Sequence, residues 1–574
     1  MLLSSLSGPR PSRAVAALSF AVALCVSSLL PALLSAAPTA TPSNSELAAY
    51  ADALLSKNYP ADAPGAAALI VRDGQVVLRK GYGLANVELG VPNTPESVFE
   101  LGSVTKQFTA AAILMLAEQG KLRLDDELQT YLPDYPKHDA KITLEQLLTH
   151  TAGVPNYTDL PEWMPRVREE MPLATLIALF KDKPLDFPPG SKWSYSNSGY
   201  VLLGAVIEKV SGKSYERFVE DEIFQKLGMK SSRYGSPSEV IPHRAYGYDR
   251  GDDGWKNAEF LSMTQPYAAG SLMSTVDDLA LWDRALSSET LLKRSSIERM
   301  FVPAKTGNGS NSRYGLGWGV QSLAGRTIQA HGGGIFGFVT VDLRVPEEKL
   351  FITVLSNNPG ADQDPTSLGL AIAAKALGQP YEDRTAITLP VVTLSDYVGV
   401  YQFDDTAKRV ITTENGKLFS RRAGGMKSEL SASAKDVFFF PGGRGDITFL
   451  RGKDGKVSGA HFVPPFGPES DGKKTDEPLP ADRVEVKVDP ALFDAFAGVY
   501  NLFPGFDLTI TREGDKLISQ ATGQGKLELH AASETKYFPR EVEAEIEFVR
   551  GPDGKVESLI LNQGGQTIPG RRKP

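Results

Sequence analysis

The stretch Phe99-Glu100-Leu101-Gly102-Ser103-Val104-Thr105-Lys106 decides how this chain is read. Ser103 and Lys106 open an apolar run, with Phe108 and Ile113-Leu114-Met115-Leu116, that Gly120 stops. The pattern predicts a helix over 103–119. On a helix, residues i and i+3 share a face, about 4.5 Å apart along the axis. A serine hydroxyl is a poor nucleophile at its own pKa, and a desolvated lysine within hydrogen-bond reach can act as its base. The helix N-terminus at Ser103 also favours developing negative charge. The same S-x-x-K spacing recurs at Ser470–Lys473 and Ser533–Lys536, so spacing alone discriminates little. Those two copies sit in a polar linker and a β-like repeat and lack the apolar helix.

Two further stretches fit the same chemistry. Tyr195-Ser196-Asn197 offers a phenol that could relay a proton between nucleophile and leaving group, and an amide that could hold a substrate carbonyl. His331-Gly332-Gly333-Gly334 precedes the strand-like run Phe338–Arg344, and its glycines would let backbone approach a substrate. A backbone N–H at Gly333 or Gly334 could join that of Ser103 as an oxyanion donor. The alternative for these glycines is a surface turn. His150 reads either as a second base or as a residue of a tight turn.

Taken together, the three motifs resemble those of the serine β-lactamase and penicillin-binding protein superfamily: S-x-x-K, then S-D-N or Y-x-N, then K-T-G or H-x-G. The resemblance covers about residues 45–380. Leu147-Leu148-Thr149-His150-Thr151-Ala152-Gly153 and Tyr314-Gly315-Leu316-Gly317-Trp318 resemble stretches of its class C-like branch, which holds β-lactamases, DD-carboxypeptidases, esterases and D-aminopeptidases. It implies Ser103 as nucleophile, Lys106 and Tyr195 as base and acid, Asn197 on the acyl amide, and His331 in place of a substrate-binding lysine. Lys305-Thr306-Gly307 spells the third motif literally, but it precedes the strand-like run Tyr314–Val320, whereas the family's third motif comes one strand later. His331 is therefore preferred. An imidazole with an ordinary pKa near 6.5 would be mostly neutral at pH 7–8, so substrates ending in carboxylate should bind better as pH falls. The HGGG run is also a feature of α/β-hydrolase esterases, but the chain has no G-x-S-x-G.

Outside the motifs, the chain divides by pattern. Arg10 and Arg13 precede an uncharged stretch, Ala14–Ala37, that Pro31 interrupts. This reads as a secretory signal peptide over 1–37, with an uncleaved membrane anchor as the alternative. Residues 41–381 alternate strand-like and helical runs: a hairpin around Asp73-Gly74, a helical middle, late strands and a last helix near 367–377. That is an α+β unit with helices packed on an antiparallel sheet. Past about 381 the helical periodicity ends and an internal repeat begins. At an offset of 99, Gly399-Val400-Tyr401 matches Gly498-Val499-Tyr500, and Arg451-Gly452-Lys453-Asp454-Gly455-Lys456-Val457 parallels Arg550-Gly551-Pro552-Asp553-Gly554-Lys555-Val556. Two all-β units are expected, 390–465 and 491–572, with a linker over 466–490, each the size of a small barrel or sandwich. The resemblance implies β-barrels like those appended to D-aminopeptidases.

The 574 residues carry 61 Lys+Arg against 69 Asp+Glu, a net charge of −8, which argues against a nucleic-acid partner. Cys25 is the only cysteine, so a mature chain would have neither disulfide nor thiolate chemistry. Six histidines without an H-E-x-x-H pair give no support for a metal site, and no cofactor is implied. The sequence thus points to an exported (periplasmic or secreted) serine hydrolase with an acyl-enzyme mechanism. Its partner would be a small peptide, amide or ester, best a D-residue compound, with cell-wall or envelope association possible in such a setting. β-Lactamase or DD-carboxypeptidase is the alternative, and a non-catalytic penicillin-receptor-like binding protein the rival of a different class.

Overall fold

The computed structural model describes residues 41–573, apart from 138–139, 161, 252–253, 308, 381–385, 404–407, 423–426, 442–444, 465–468, 480–484, 504–505, 523–525, 541, 543, 552 and 564–565. The expected signal segment 1–37, with Cys25, lies outside them. The chain enters through α1 (Asn44–Asn58), which Ser43 and Glu46 cap reciprocally. The hairpin β1 (Ala66–Arg72) and β2 (Gln75–Tyr82) turns on Asp73-Gly74, both at positive φ. Then come α2 (Thr105–Glu118), α3 (Asn197–Ser211), a small hairpin of β3 (Tyr248–Gly251) and β4 (Gly254–Asn257), and α4 (Val276–Leu286). The strands β5 (Gly319–Leu323), β6 (Arg326–Ile335), β7 (Phe338–Val345) and β8 (Leu350–Ser356) precede α5 (Pro365–Ala376).

One antiparallel sheet of six strands organises this unit, in the order β5-β6-β7-β8-β1-β2. Alternation along its strands sorts the core into two layers. Ile70, Val341 and Ile352 meet α1 and α5 on one side, against Leu47, Leu55, Leu368 and Ile372. Leu69, Phe351 and Leu355 face the larger helical cluster, with Phe108, Tyr200 and Trp282. Helix α2 is buried nearly all round, which its unbroken apolar sequence requires.

Three expectations need correction. The alternative of a surface turn at His331-Gly332-Gly333-Gly334, placed before the strand-like run, is overturned: the run is the end of β6, paired with β7 from Gln329↔Arg344 to Ile335↔Phe338. Glycines lower strand propensity, but they also mark places where another backbone approaches closely. The run Tyr314–Val320 starts as a tight turn, and strand pairing with β6 begins only at Gly319. Gly317, at φ +76°, presses against the carbonyl of Lys106, where a Cβ would come within 2.7 Å. The stretch 466–490 is not all linker, because Ser470–Lys474 forms the strand that closes the first β unit.

Each repeat is a closed barrel of eight strands, running from Gly399–Gln402 to Ser470–Lys474 and from Gly498–Phe503 to Gln566–Arg572. The repeat is legible atom by atom. Tyr401 donates to the Tyr397 carbonyl and Tyr500 to that of Phe496, each at 2.7 Å. Arg451 and Arg550 each donate to the carbonyl of the glycine four residues on, at 2.8 Å.

Candidate active site

A short 3-10 turn, Gly102–Val104, leads into α2 and sets Ser103 at its mouth. Lys106 lies one turn further, with no exposed surface. Its Nζ is 3.0 Å from Ser103 Oγ, 2.8 Å from Asn197 Oδ1 and 2.9 Å from the Ala269 carbonyl. All three neighbours are uncharged. Burial therefore goes uncompensated and pushes the lysine pKa well below its ordinary value. A neutral amine fits the three contacts: two N–H bonds to the amide and carbonyl oxygens, and a lone pair for the Ser103 proton.

Asn197 is the first residue of α3, after the N-cap Ser196, whose hydroxyl accepts from Gly199 N–H. The Asn197 amide nitrogen donates to Thr158 Oγ1 at 3.2 Å while its oxygen takes the lysine. It thus aims the base as well as lining the cavity. Tyr195, two residues earlier, lays its ring over Lys106, 4.7 Å from Nζ to the ring centroid. Its hydroxyl neighbours that of Ser103, and burial raises its pKa far enough to keep the phenol protonated.

His150 supports this segment from behind. Held at φ +58°, it accepts a hydrogen bond from the Ser196 N–H at Nδ1, with its ring 4.2 Å from that of Tyr195. Burial keeps it neutral. It positions Tyr195-Ser196-Asn197 rather than touching Ser103.

The expected role of His331 is corrected. Its Nδ1 donates to the Gly332 carbonyl at 2.6 Å, and Nε2 accepts from the Tyr314 hydroxyl at 2.7 Å. Both ring nitrogens are occupied and the residue is buried, so it does not line the cavity. Burial and the neighbouring Lys106 lower its pKa to about 3. The proposed gain in carboxylate affinity as pH falls through 6.5 has no group to carry it.

The glycines act through backbone. Pairing of β5 with β6 ends at Ala330, so the outer edge of β6 beyond it is free for the 101–103 segment. The β6–β7 hairpin closes at Ile335↔Phe338, which turns the Gly334 N–H away from β7 and toward that segment. Gly102, at φ +52°, could not carry a side chain, because its Cβ would lie 2.9 Å from Gly334 N. A Cβ on Gly333 would strike the Leu101 carbonyl at 2.0 Å, whereas one on Gly334 would meet nothing within 4 Å. Gly334 with Ser103 therefore offers the pair of N–H groups. Gly333 is needed for close packing and does not reach the cavity.

Ser103, Asn197 and Gly334 share a cavity of about 390 Å³ whose apolar wall includes Trp163, Leu261, Ile335 and Phe336. Trp163 is fixed by its Nε1 donating to Gln265 Oε1 at 2.8 Å. Among the described residues, no Lys or Arg lines the cavity. Lys305-Thr306-Gly307 lies in a loop away from it, bridged to Asn311. Ser470 is on a barrel strand, and Ser533 caps a turn by accepting from Lys536 N–H. Sequence reasoning missed the Tyr314 partner of His331, the Ala269 carbonyl, Thr158 and the apolar wall. Only Tyr314 carried a signal, as part of the Tyr314–Trp318 stretch.

A family model described as Beta-lactamase matches residues 54–377, more than half of the chain. The chain belongs to the β-lactamase family. Its members and their penicillin-binding relatives are serine hydrolases. A second model, a domain of unknown function (DUF3471), matches 383–476 and 482–572, the two barrels. Penicillin-binding protein 4* of Bacillus subtilis is 30% identical over 414 residues, covering 68% of this chain and 91% of that protein. The D-aminopeptidase of Gluconobacter oxydans is 26% identical over 342 residues, covering 58% of this chain and 63% of the relative, less than two thirds of its length. Among solved structures, the octameric penicillin-binding protein homologue from Pyrococcus abyssi superposes with a TM-score of 0.53 at 26% identity, over 75% of this chain and 99% of that one.

Proposed function

We propose that this family member is an exported hydrolase that forms an acyl-enzyme at Ser103 from small amides or esters, those of D-residues foremost. The neutral amine of Lys106 takes the Ser103 proton as Oγ attacks the carbonyl. The N–H groups of Ser103 and Gly334 hold the oxyanion. The protonated phenol of Tyr195 gives a proton to the leaving group, and Lys106 restores it. Water then enters by the same route in reverse and frees the acid.

The observation that carries the substrate class is that, among the described residues, no cationic side chain lines the cavity. A penicillin or a C-terminal D-Ala presents a carboxylate, and a charge-assisted bond to it is roughly twice as strong as a neutral one. Here no Lys or Arg is among the described residues that line the cavity, Lys106 lies behind Ser103 as a neutral amine, and the imidazole is neutral with both nitrogens used. The named D-aminopeptidase relative supports the D-residue reading. The named penicillin-binding relative supports the second reading, a DD-carboxypeptidase or β-lactamase. Export rests on the sequence pattern of 1–37, and envelope association would follow from it. The test is kcat/KM at pH 8 for neutral esters and D-amino-acid amides against a cephalosporin. Neutral compounds should be at least tenfold better. A better cephalosporin would put the second reading first, and no turnover of any ester would make this a binding protein.

A further inference from the structure

The hairpin of β3 and β4 reaches the rim of the catalytic cavity. Its root is pressed against the β6–β7 turn: a Cβ on Gly337 would lie 2.6 Å from the Gly247 Cα. Tyr248 faces away, its hydroxyl donating to Glu88 and accepting from the Val87 N–H at 2.9 Å. Strand alternation sends the next side chain, Asp249, to the opposite face, where it lines the cavity with Ser103. Among the described residues that line the cavity, Asp249 is the only Asp, Glu, Lys, Arg or His. Among the described residues it makes no ion pair and no side-chain hydrogen bond, even with Lys256, its cross-strand partner in register. Arg250, beside it, is turned onto the Trp255 ring, 5.2 Å from the centroid.

We infer that Asp249 is a specificity-determining residue that selects acyl donors bearing a primary ammonium, with the donor's apolar side chain lying among Trp163, Leu261, Ile335 and Phe336. A partly buried carboxylate without a counter-charge, in a cavity of about 390 Å³ that also holds the nucleophile, is completed by a cation the substrate brings. The same charge repels substrates that end in carboxylate. This inference rests on the acyl-enzyme reading of Ser103 and adds what the acyl group must carry.

The experiment compares two esters with the full chain: D-phenylalanine methyl ester and methyl 3-phenylpropionate, which lacks only the amine. Wild type should prefer the first by at least tenfold in kcat/KM. Asp249→Asn should lower kcat/KM for the amine ester by about 10- to 100-fold, chiefly through KM, the scale of a lost charge-assisted bond, and leave the other ester within threefold. Asp249→Glu should keep part of the preference. Asp249→Lys should reverse it toward the methyl ester of a dicarboxylic acid, a gain of function that misfolding cannot mimic. Equal turnover of both esters by wild type, or a parallel loss on both in Asp249→Asn with no reversal in Asp249→Lys, overturns the inference and leaves Ser103 chemistry standing. Turnover of neither ester by wild type overturns the acyl-enzyme reading and this inference with it.

Discussion

Lys106 keeps company with an amide oxygen, a carbonyl and the serine it activates, and no carboxylate offsets its burial. Its neutral form is the active one, so kcat/KM should rise with pH through the lowered lysine pKa and already be flat at pH values far below the ordinary lysine range. Lys106→Arg should lose at least ~10³-fold, because guanidinium does not give up its proton. An active arginine variant would remove lysine as the base. Asp342 makes a second residue-scale prediction. It is cross-strand from His331, fully buried, beside Gln107 and Thr353, and neither carboxyl oxygen is within hydrogen-bonding geometry. Burial raises its pKa to about 7. The native state holds this proton to near neutrality, whereas the unfolded chain loses it near 3.9. Between those values the native state binds more protons, so this group's contribution to stability falls as pH rises. Asp342→Asn should therefore melt above wild type at pH 8, by up to about 4 kcal/mol of stability at roughly 1.4 kcal/mol per pKa unit, with the gap closing as pH falls toward 4. A gap that does not change with pH would contradict this.

At the level of elements, the site is a meeting of the α2 N-terminus with the glycine end of β6. Gly102→Ala places a Cβ 2.9 Å from Gly334 N and forces strain at φ +52°, so it should push the two oxyanion donors apart. Its kcat should fall by about 10²–10³-fold, the cost of losing one such donor. Gly334→Ala meets open space and should keep the fold, with effects confined to substrate fit. Equal activity in the two variants would break the argument. Sequence and structure part at this scale for a physical reason. The helix carrying Ser103 and Lys106, and the α3 start carrying Asn197, were legible because capping and apolar spacing are local. The end of β6 left a surface turn open as an alternative because its glycines are weak strand formers, and only the neighbouring 101–103 backbone explains why they stand in a strand. Tyr314 and Asp249 reach the site from loops and hairpins far along the chain; the Tyr314–Trp318 stretch marks the first as noteworthy, but no local pattern announces which side chain either one meets. The misassigned role of His331 has the same origin, since its two hydrogen bonds and its burial are tertiary facts.

Across the whole molecule, the 99-residue offset made the duplication legible, and closure into barrels follows from eight short strands per unit. The closing strand Ser470–Lys474 was hidden in a polar, charged stretch that composition marks as linker. The first barrel touches the α+β unit through an ion pair of Arg313 with Glu469, yet every described residue lining the catalytic cavity lies between 102 and 359. A fragment ending at residue 381 should thus keep kcat/KM on a small ester within threefold of the full chain. A loss of tenfold or more would mean that the barrels shape the site. The proposed chemistry stands on one serine among many, three of them in the same S-x-x-K spacing. Treating the full chain with a fluorophosphonate and mapping the adduct by peptide mass spectrometry tests it most directly. The expected result is one modified peptide carrying Ser103, absent in Ser103→Ala and formed far more slowly in Lys106→Arg; an adduct on Ser470 or Ser533, or undiminished labelling of Ser103→Ala, would contradict it.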